Sequence, residues 1–285
     1  MSEGDIKGAI NIVVSKETVL SPSNETKMKL QEKHPPKHPL STNLPLPTEG
    51  NPNFKVSKEK LVKAICSFRK GSAGGPDGQR PQHLIDMTGE VLGQDSERLL
   101  DSLLTLLNEI IFPGKIPPTI CPIFFGANLM ALAKPDGGVR PIAMGMTIRR
   151  LASKCIMNEV YSFCAQEFRP FQVGVGTPKG AEVAVHALRM FLNNDINKDK
   201  VLLKIDFCNA FNTICRDIIK PIVSQKIPNI YNSVYQNYSQ QSSLYFGDNI
   251  IESSEGVQQG DPLGPFLFSL GINDRVKSMN TDFNC

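Results

Sequence analysis

Nowhere does the 285-residue chain hold the roughly 20 consecutive apolar residues that span a bilayer. Its N-terminus lacks a charged start followed by an apolar stretch and a cleavage site. The expectation is a soluble, intracellular protein, nuclear or cytoplasmic, with no membrane partner. Seven cysteines (66, 121, 155, 164, 208, 215 and 285) include no Cys-x-x-Cys pair, and no His pair stands at zinc spacing. Reduced thiols are expected, without a disulfide framework or zinc site. No Gly-x-x-x-x-Gly-Lys-Ser/Thr occurs: Gly114-Lys115 is followed by Ile116, which excludes a P-loop. Gly174-Val-Gly176-Thr-Pro-Lys lacks the third glycine of a dinucleotide-binding loop and reads as a turn. The four histidines (34, 38, 83 and 186) have no partner at ligand spacing.

What is present fits a folded chain. Apolar residues make up 40% and charged residues 21%, close to globular averages, and the length allows one large domain or two small ones around a sizeable core. The net charge is only +3, but it is unevenly spread. Residues 1–50 hold six lysines and six acids, whereas five cations (Lys134, Arg140, Arg149, Arg150 and Lys154) face the single acid Asp136 over 21 residues. That stretch is a candidate polyanion face, or else a solvated helix face next to a basic turn. Six of the 21 prolines fall in the first 50 residues, in runs such as Leu44-Pro45-Leu46-Pro47 without apolar periodicity, so 1–52 reads as a disordered leader.

Order is expected from Phe54. Ser57 can cap a helix carrying Leu61, Ile65 and Phe68, which Gly71 stops. The spacing of Leu99, Leu103, Leu106 and Ile110 predicts a helix from Ser96 to Phe112. Residues 128–133 and 139–143, separated by Pro-Asp-Gly-Gly, read as a hairpin whose tight turn Lys134 and Arg140 flank. Helices are expected at Thr147–Phe163, with Leu151, Cys155 and Val160 inward, and at Pro178–Leu192, with proline in its first turn. Val201–Ile205 is short, apolar and bounded by polar residues, as a buried strand should be.

Asp206 follows that run directly. A carboxylate at the tip of a buried strand is costly unless it is paired, hydrogen-bonded or bound to a cation, so Asp206 calls for a partner. The plainer alternative is a helix cap, because a helix is expected from Thr213 to about Gln225; Asn209 or Asn212 could also cap it. A second run, Glu255 to Pro265, leads into an apolar helix from Phe266 to about Val276. Asp261 before Pro262 reads as an N-cap with proline at the first position, and not as a metal ligand. Gln259 beside Gly260 suits a wall where another molecule approaches the backbone.

In chain order, Gly75-Pro-Asp-Gly78, Ala133-Lys-Pro-Asp-Gly-Gly-Val-Arg140-Pro-Ile, Asp206-x-x-x-Ala-Phe211-Asn and Gly256-Val-Gln-Gln-Gly-Asp-Pro-Leu-Gly264 resemble the reverse transcriptase domain of non-LTR (LINE-type) retrotransposons, over about residues 54–285. The resemblance implies an α+β right-hand polymerase, with fingers at 53–195, a partial palm at 196–285 and a thumb beyond. It implies RNA-directed DNA polymerase chemistry on an RNA template, a DNA primer and deoxynucleoside triphosphates. The primer hydroxyl attacks the α-phosphate while two Mg2+ ions, about 3.5 to 4 Å apart, steady the attacking and leaving oxygens. By position, Lys134 and Arg140 match the cations that grip the triphosphate, and an ammonium and a guanidinium flanking a turn can lie along a phosphate chain. Asp206 matches the first catalytic, metal-binding carboxylate, with the Phe207 carbonyl as a further ligand. Phe211 matches the aromatic residue that excludes a 2′-hydroxyl, its alternative being a core aromatic. Gln259 and Gly260 match the nucleotide pocket. Arg149, Arg150 and Lys154 are expected on nucleic acid.

The resemblance is incomplete. The family supplies a further palm carboxylate from a Tyr-x-Asp-Asp hairpin, and this sequence has no Asp-Asp dipeptide; Asp282 stands alone in a polar tail. One palm carboxylate does not hold two cations, so Mg2+ is not expected to be held stably and these 285 residues are expected not to polymerise DNA. Missing strands would leave exposed apolar surface on the palm. The alternatives are a non-catalytic nucleic-acid-binding remnant and a pseudogene product.

Overall fold

The computed structural model describes residues 18–39, 45–47, 53–194 and 199–283. Residues 18–39 correct the expectation of a leader without order; the rest of that leader, apart from 45–47, lies outside the described residues. Helix α1 (Asn24–Lys33) begins at Ser23, whose hydroxyl accepts from the Thr26 amide at 3.1 Å, and Glu25 pairs with Lys29 one turn on at 2.8 Å. Leu30 is its one fully buried apolar side chain. A single anchor leaves no periodic signal in the sequence.

Helix α2 (Lys58–Cys66) starts as expected, with the Ser57 hydroxyl accepting from the Lys60 amide and Leu61 and Ile65 buried. Helix α3 (Pro81–Met87) precedes α4 (Gln94–Leu106), which continues in a wider turn over Leu107–Ile111. Leu103 is buried as expected, but its buried companions are Leu100, Leu107 and Ile111, and Leu106 and Ile110 are left exposed. Strands β1 (Ala127–Ala133) and β2 (Val139–Gly145) form the expected hairpin, with Leu132 opposite Arg140. Helix α5 (Thr147–Phe168) runs a turn longer than expected and does bury Leu151, Cys155 and Val160. Helix α6 (Gly180–Asn193) starts after Pro178.

Residues 199–207 form no strand, which corrects the reading of Val201–Ile205. Val201 is 87% exposed and Leu203 74%. No strand among the described residues lies beside this run to take its backbone hydrogen bonds, and an extended segment without a partner is not a stable strand. A helical turn at Ala210–Thr213 and helix α7 (Arg216–Lys226), with extended backbone at Ile214 between them, replace the single helix expected there. Helix α8 (Pro228–Ser239) and strands β3 (Ser242–Phe246) and β4 (Asn249–Ser253) follow. Helix α9 (Gly264–Phe283) begins at the expected run and takes in Asp282, which was expected in a tail.

Among the described residues the mixed α+β architecture has one four-stranded sheet, in the order β2-β1-β3-β4. β1 and β3 are parallel but pair only at Ala127 and Asn128. Further along, the same strand is bonded by the leader: the Leu20 amide donates to the Ala131 carbonyl at 2.8 Å and the Ala133 amide to the Thr18 carbonyl at 2.9 Å. Leu30 then packs with Ala127, Leu129, Ala131, Val139 and Ala143 on one sheet face. A second, helical core gathers Leu61, Leu107, Leu151, Phe168, Tyr231 and Phe266. Among the described residues no helix is long and apolar enough to cross a membrane.

Candidate functional site

The β1–β2 turn is closed by its own backbone. The Lys134 amide donates to the Gly138 carbonyl at 2.8 Å, the Gly138 amide donates to the Asp136 carboxylate at 2.9 Å, and Gly137 adopts a φ of 78° that glycine takes without strain. Lys134 and Arg140 are thereby held at the two feet of a rigid turn, both exposed.

Across from them, Asp206 is exposed and belongs to no strand. The expected need for a partner, which assumed burial, does not arise, since water solvates this carboxylate. Asn209 takes a left-handed conformation (φ 55°) that begins the turn at 210–213, and its Oδ1 accepts from Asn212 at 2.9 Å. The turn presents Phe211, half-buried, with its ring stacked on Phe268 at 5.1 Å between centroids. The Phe211 carbonyl accepts from the Val257 amide at 2.7 Å, which fixes this turn to the 255–264 segment.

These elements enclose a cleft of about 350 Å³. Lys134, Arg140, Asp206, Phe207, Phe211 and Gln259 all line it, so residues far apart in sequence share one opening. Gly260 does not. Its φ is +128°, and a Cβ placed on it would stand 2.3 Å from the Ala143 carbonyl oxygen of β2, while the neighbouring Gln259 carbonyl accepts from the Ala143 amide at 2.8 Å. The molecule that approaches this glycine is the protein's own strand.

Three basic residues expected on nucleic acid are engaged inside the fold. Arg149 is only 3% exposed: it donates to Asp261 Oδ2 at 2.8 Å, to the Phe125 carbonyl at 2.6 Å and to the Gln258 side chain. It is a buried structural cation, which corrects its place on a polyanion face; charge pattern alone does not say which side of α5 meets the core. Arg150 donates to the Ala73 carbonyl at 2.6 Å, and Lys154 to Ser67 Oγ at 3.0 Å, with its ammonium 4.8 Å from the Phe68 ring centroid. Burial holds the Arg150 and Lys154 side chains below their ordinary pKa values. Both tie the end of α2 and the glycine-rich turn to α5. Gly75 in that turn lies against Met146, where a Cβ would meet backbone at 2.6 Å.

Asp261 is not the N-cap that its sequence suggests: α9 begins at Gly264, and Pro262 lies in the turn before it instead of at the first helical position. Its Oδ1 accepts from the Leu263 amide at 2.9 Å ahead of α9, and its other oxygen holds Arg149. Sequence reasoning missed Gln258, which donates to the Phe125 carbonyl at 2.8 Å and to Ser242. It also missed Arg216, buried and bonded to the Ser253 and Gly256 carbonyls, whose burial brings its pKa down to about 10. Lys33 of α1 lines the cleft, and the Asn209 side-chain Nδ2 donates to its carbonyl at 2.7 Å. No signal in the sequence points to Lys33.

The class of protein follows from comparison. The family described as reverse transcriptase (RNA-dependent DNA polymerase) matches residues 132–285, more than half of the chain, and the chain belongs to that family. It is also similar to the retrotransposable element SLACS 132 kDa protein of Trypanosoma brucei gambiense, 26% identical over 246 residues that cover 83% of this chain and 20% of that protein. The chain thus spans about a fifth of the length of this curated relative. With the motifs, these matches make it the reverse transcriptase domain of a non-LTR retrotransposon.

Proposed function

We propose that the cleft is the nucleotide site of this reverse transcriptase domain, with the 53–195 region as fingers and 196–285 as part of the palm. The observation that carries the reading is the convergence of Lys134, Arg140, Asp206, Phe211 and Gln259 on one opening. Lys134 and Arg140 bind the triphosphate of an incoming deoxynucleotide. Phe211, braced by Phe268, sits where a ribose 2′-hydroxyl would collide with it. Gln259 lines the base side, and Gly260 supports it through β2. Arg150 and Lys154 remain as half-buried cations toward an RNA template and DNA primer, whereas Arg149 has no such part.

In the family's chemistry Mg2+ stabilises the attacking and leaving oxygens. The donors here do not fit a pair of such ions. Among the described residues Asp206 is the one carboxylate lining the cleft, with the Phe207 carbonyl beside it, and no group of three His, Cys, Asp or Glu could hold a metal ion. The cleft is therefore read as a binding surface for nucleotide, and these 285 residues as not polymerising. The non-catalytic nucleic-acid-binding alternative keeps Arg150 and Lys154 but loses Arg149.

Two assays test this. Fluorescent dATP should bind the chain and lose affinity on Lys134→Ala and on Arg140→Ala; equal binding by all three proteins would sink the assignment. With poly(rA) and oligo(dT), dTTP incorporation should stay at background, and Asp206-dependent synthesis would overturn the proposed inactivity.

A further inference from the structure

We propose that Lys33, on the leader helix α1, is a third cation for the polyphosphate chain in the cleft, so that the leader completes the nucleotide site. This rests on reading the cleft as a nucleotide site, and it goes beyond the fingers hairpin and palm in assigning part of the site to the leader.

Three observations lead there. Lys33 lines the cleft together with Lys134 and Arg140, from a third, separate element. Against the one acid Asp206, the wall carries a net charge of +2. Lys33 is half-buried, yet no hydrogen bond or ion pair engages its ammonium among the described residues, whereas other lysines such as Lys29, Lys58 and Lys226 are paired. Its position is fixed from behind: Asn209, three residues after Asp206, donates to the Lys33 carbonyl at 2.7 Å, and Leu30 one turn earlier is buried on the sheet. A lysine with its backbone anchored and its ammonium uncommitted is suited to an anionic ligand. The cleft's volume, about 350 Å³, suits a small molecule and not a nucleic acid duplex. A triphosphate is accordingly favoured over template phosphates as the occupant.

The test uses the 285-residue chain with fluorescent dATP and Mg2+. Lys33→Gln removes the charge and leaves a shorter polar side chain; it should weaken dATP binding about tenfold, the scale of one lost hydrogen bond to a charged group. Lys33→Arg should restore affinity to within about twofold on the same scale. Deoxyadenosine, which has no phosphate, should respond to neither variant. A second measurement needs no variant: lysine acetylation of the native chain, read by mass spectrometry with and without dATP. Protection of Lys33 alongside Lys134, with Lys29 unchanged, supports the proposal. Protection of Lys134 without Lys33 overturns it and leaves the nucleotide site standing. Protection of neither overturns both. A Lys33→Gln chain that loses affinity for an RNA–DNA duplex but not for dATP would place Lys33 on nucleic acid, and the proposal would fall.

Discussion

Arg149 shows how a single side chain changes meaning between sequence and fold. In the sequence it is one of five cations in a basic stretch; in the molecule it is sealed against Asp261, Gln258 and the Phe125 carbonyl. Removing one partner of a buried ion pair leaves the other charge without water or counter-ion, at a cost of about 3 to 5 kcal/mol. Arg149→Met should therefore lower the urea midpoint steeply, and a variant of native stability would contradict the buried pair. Phe211 carries the opposite lesson, because packing does not remove it from the opening: it stacks on Phe268 and still lines the cleft. Phe211→Val should narrow the gap between dATP and ATP affinities in a competition titration, whereas an unchanged ratio would leave it as packing alone.

At the scale of elements, the leader is the part least expected. Its docking is sensitive to acid through His34, half-buried one residue past α1. Burial holds this imidazole below the ordinary value of 6.5, the hydrogen bond with the Leu30 carbonyl works against that shift, and the Arg216 charge adds to it. The unfolded segment then takes up a proton at higher pH than the docked one. Docking is at full strength above pH 6.5 and weakens as pH falls through 6.5 toward the lower folded value. Limited proteolysis should accordingly cut within 18–39 faster at pH 5.5 than at 7.5, and His34→Gln should flatten the difference. What was legible here follows physical lines. The β1–β2 hairpin could be read because Pro-Asp-Gly-Gly dictates its turn locally, and Ser57 because capping is local too. Helix α1 could not, since one leucine and a few backbone bonds to β1 hold it in place. Val201–Ile205 was misread because an apolar run records a tendency to be buried, while a strand also needs a neighbour. The cleft itself was legible through its motifs, but the third cation on its wall was not.

For the molecule as a whole, the surface is uneven. Val183, Val185, Met190, Phe191 and Leu192 of α6 are apolar and exposed, and so are Val201, Leu202, Leu203, Ile205 and Phe207. Met190→Glu combined with Leu203→Lys, both at exposed positions, should reduce concentration-dependent light scattering while leaving the unfolding midpoint unchanged. Scattering that persists in the double variant would move the cause elsewhere.

The bonding of residues 18–20 along β1, and of Leu30 beneath it, bears on how the gene is cut for expression. A recombinant fragment opened at Phe54, where the hydrophobic pattern first becomes regular, would shed the cover of its own sheet and accumulate as inclusion bodies. One opened upstream of Thr18 would carry that cover with it.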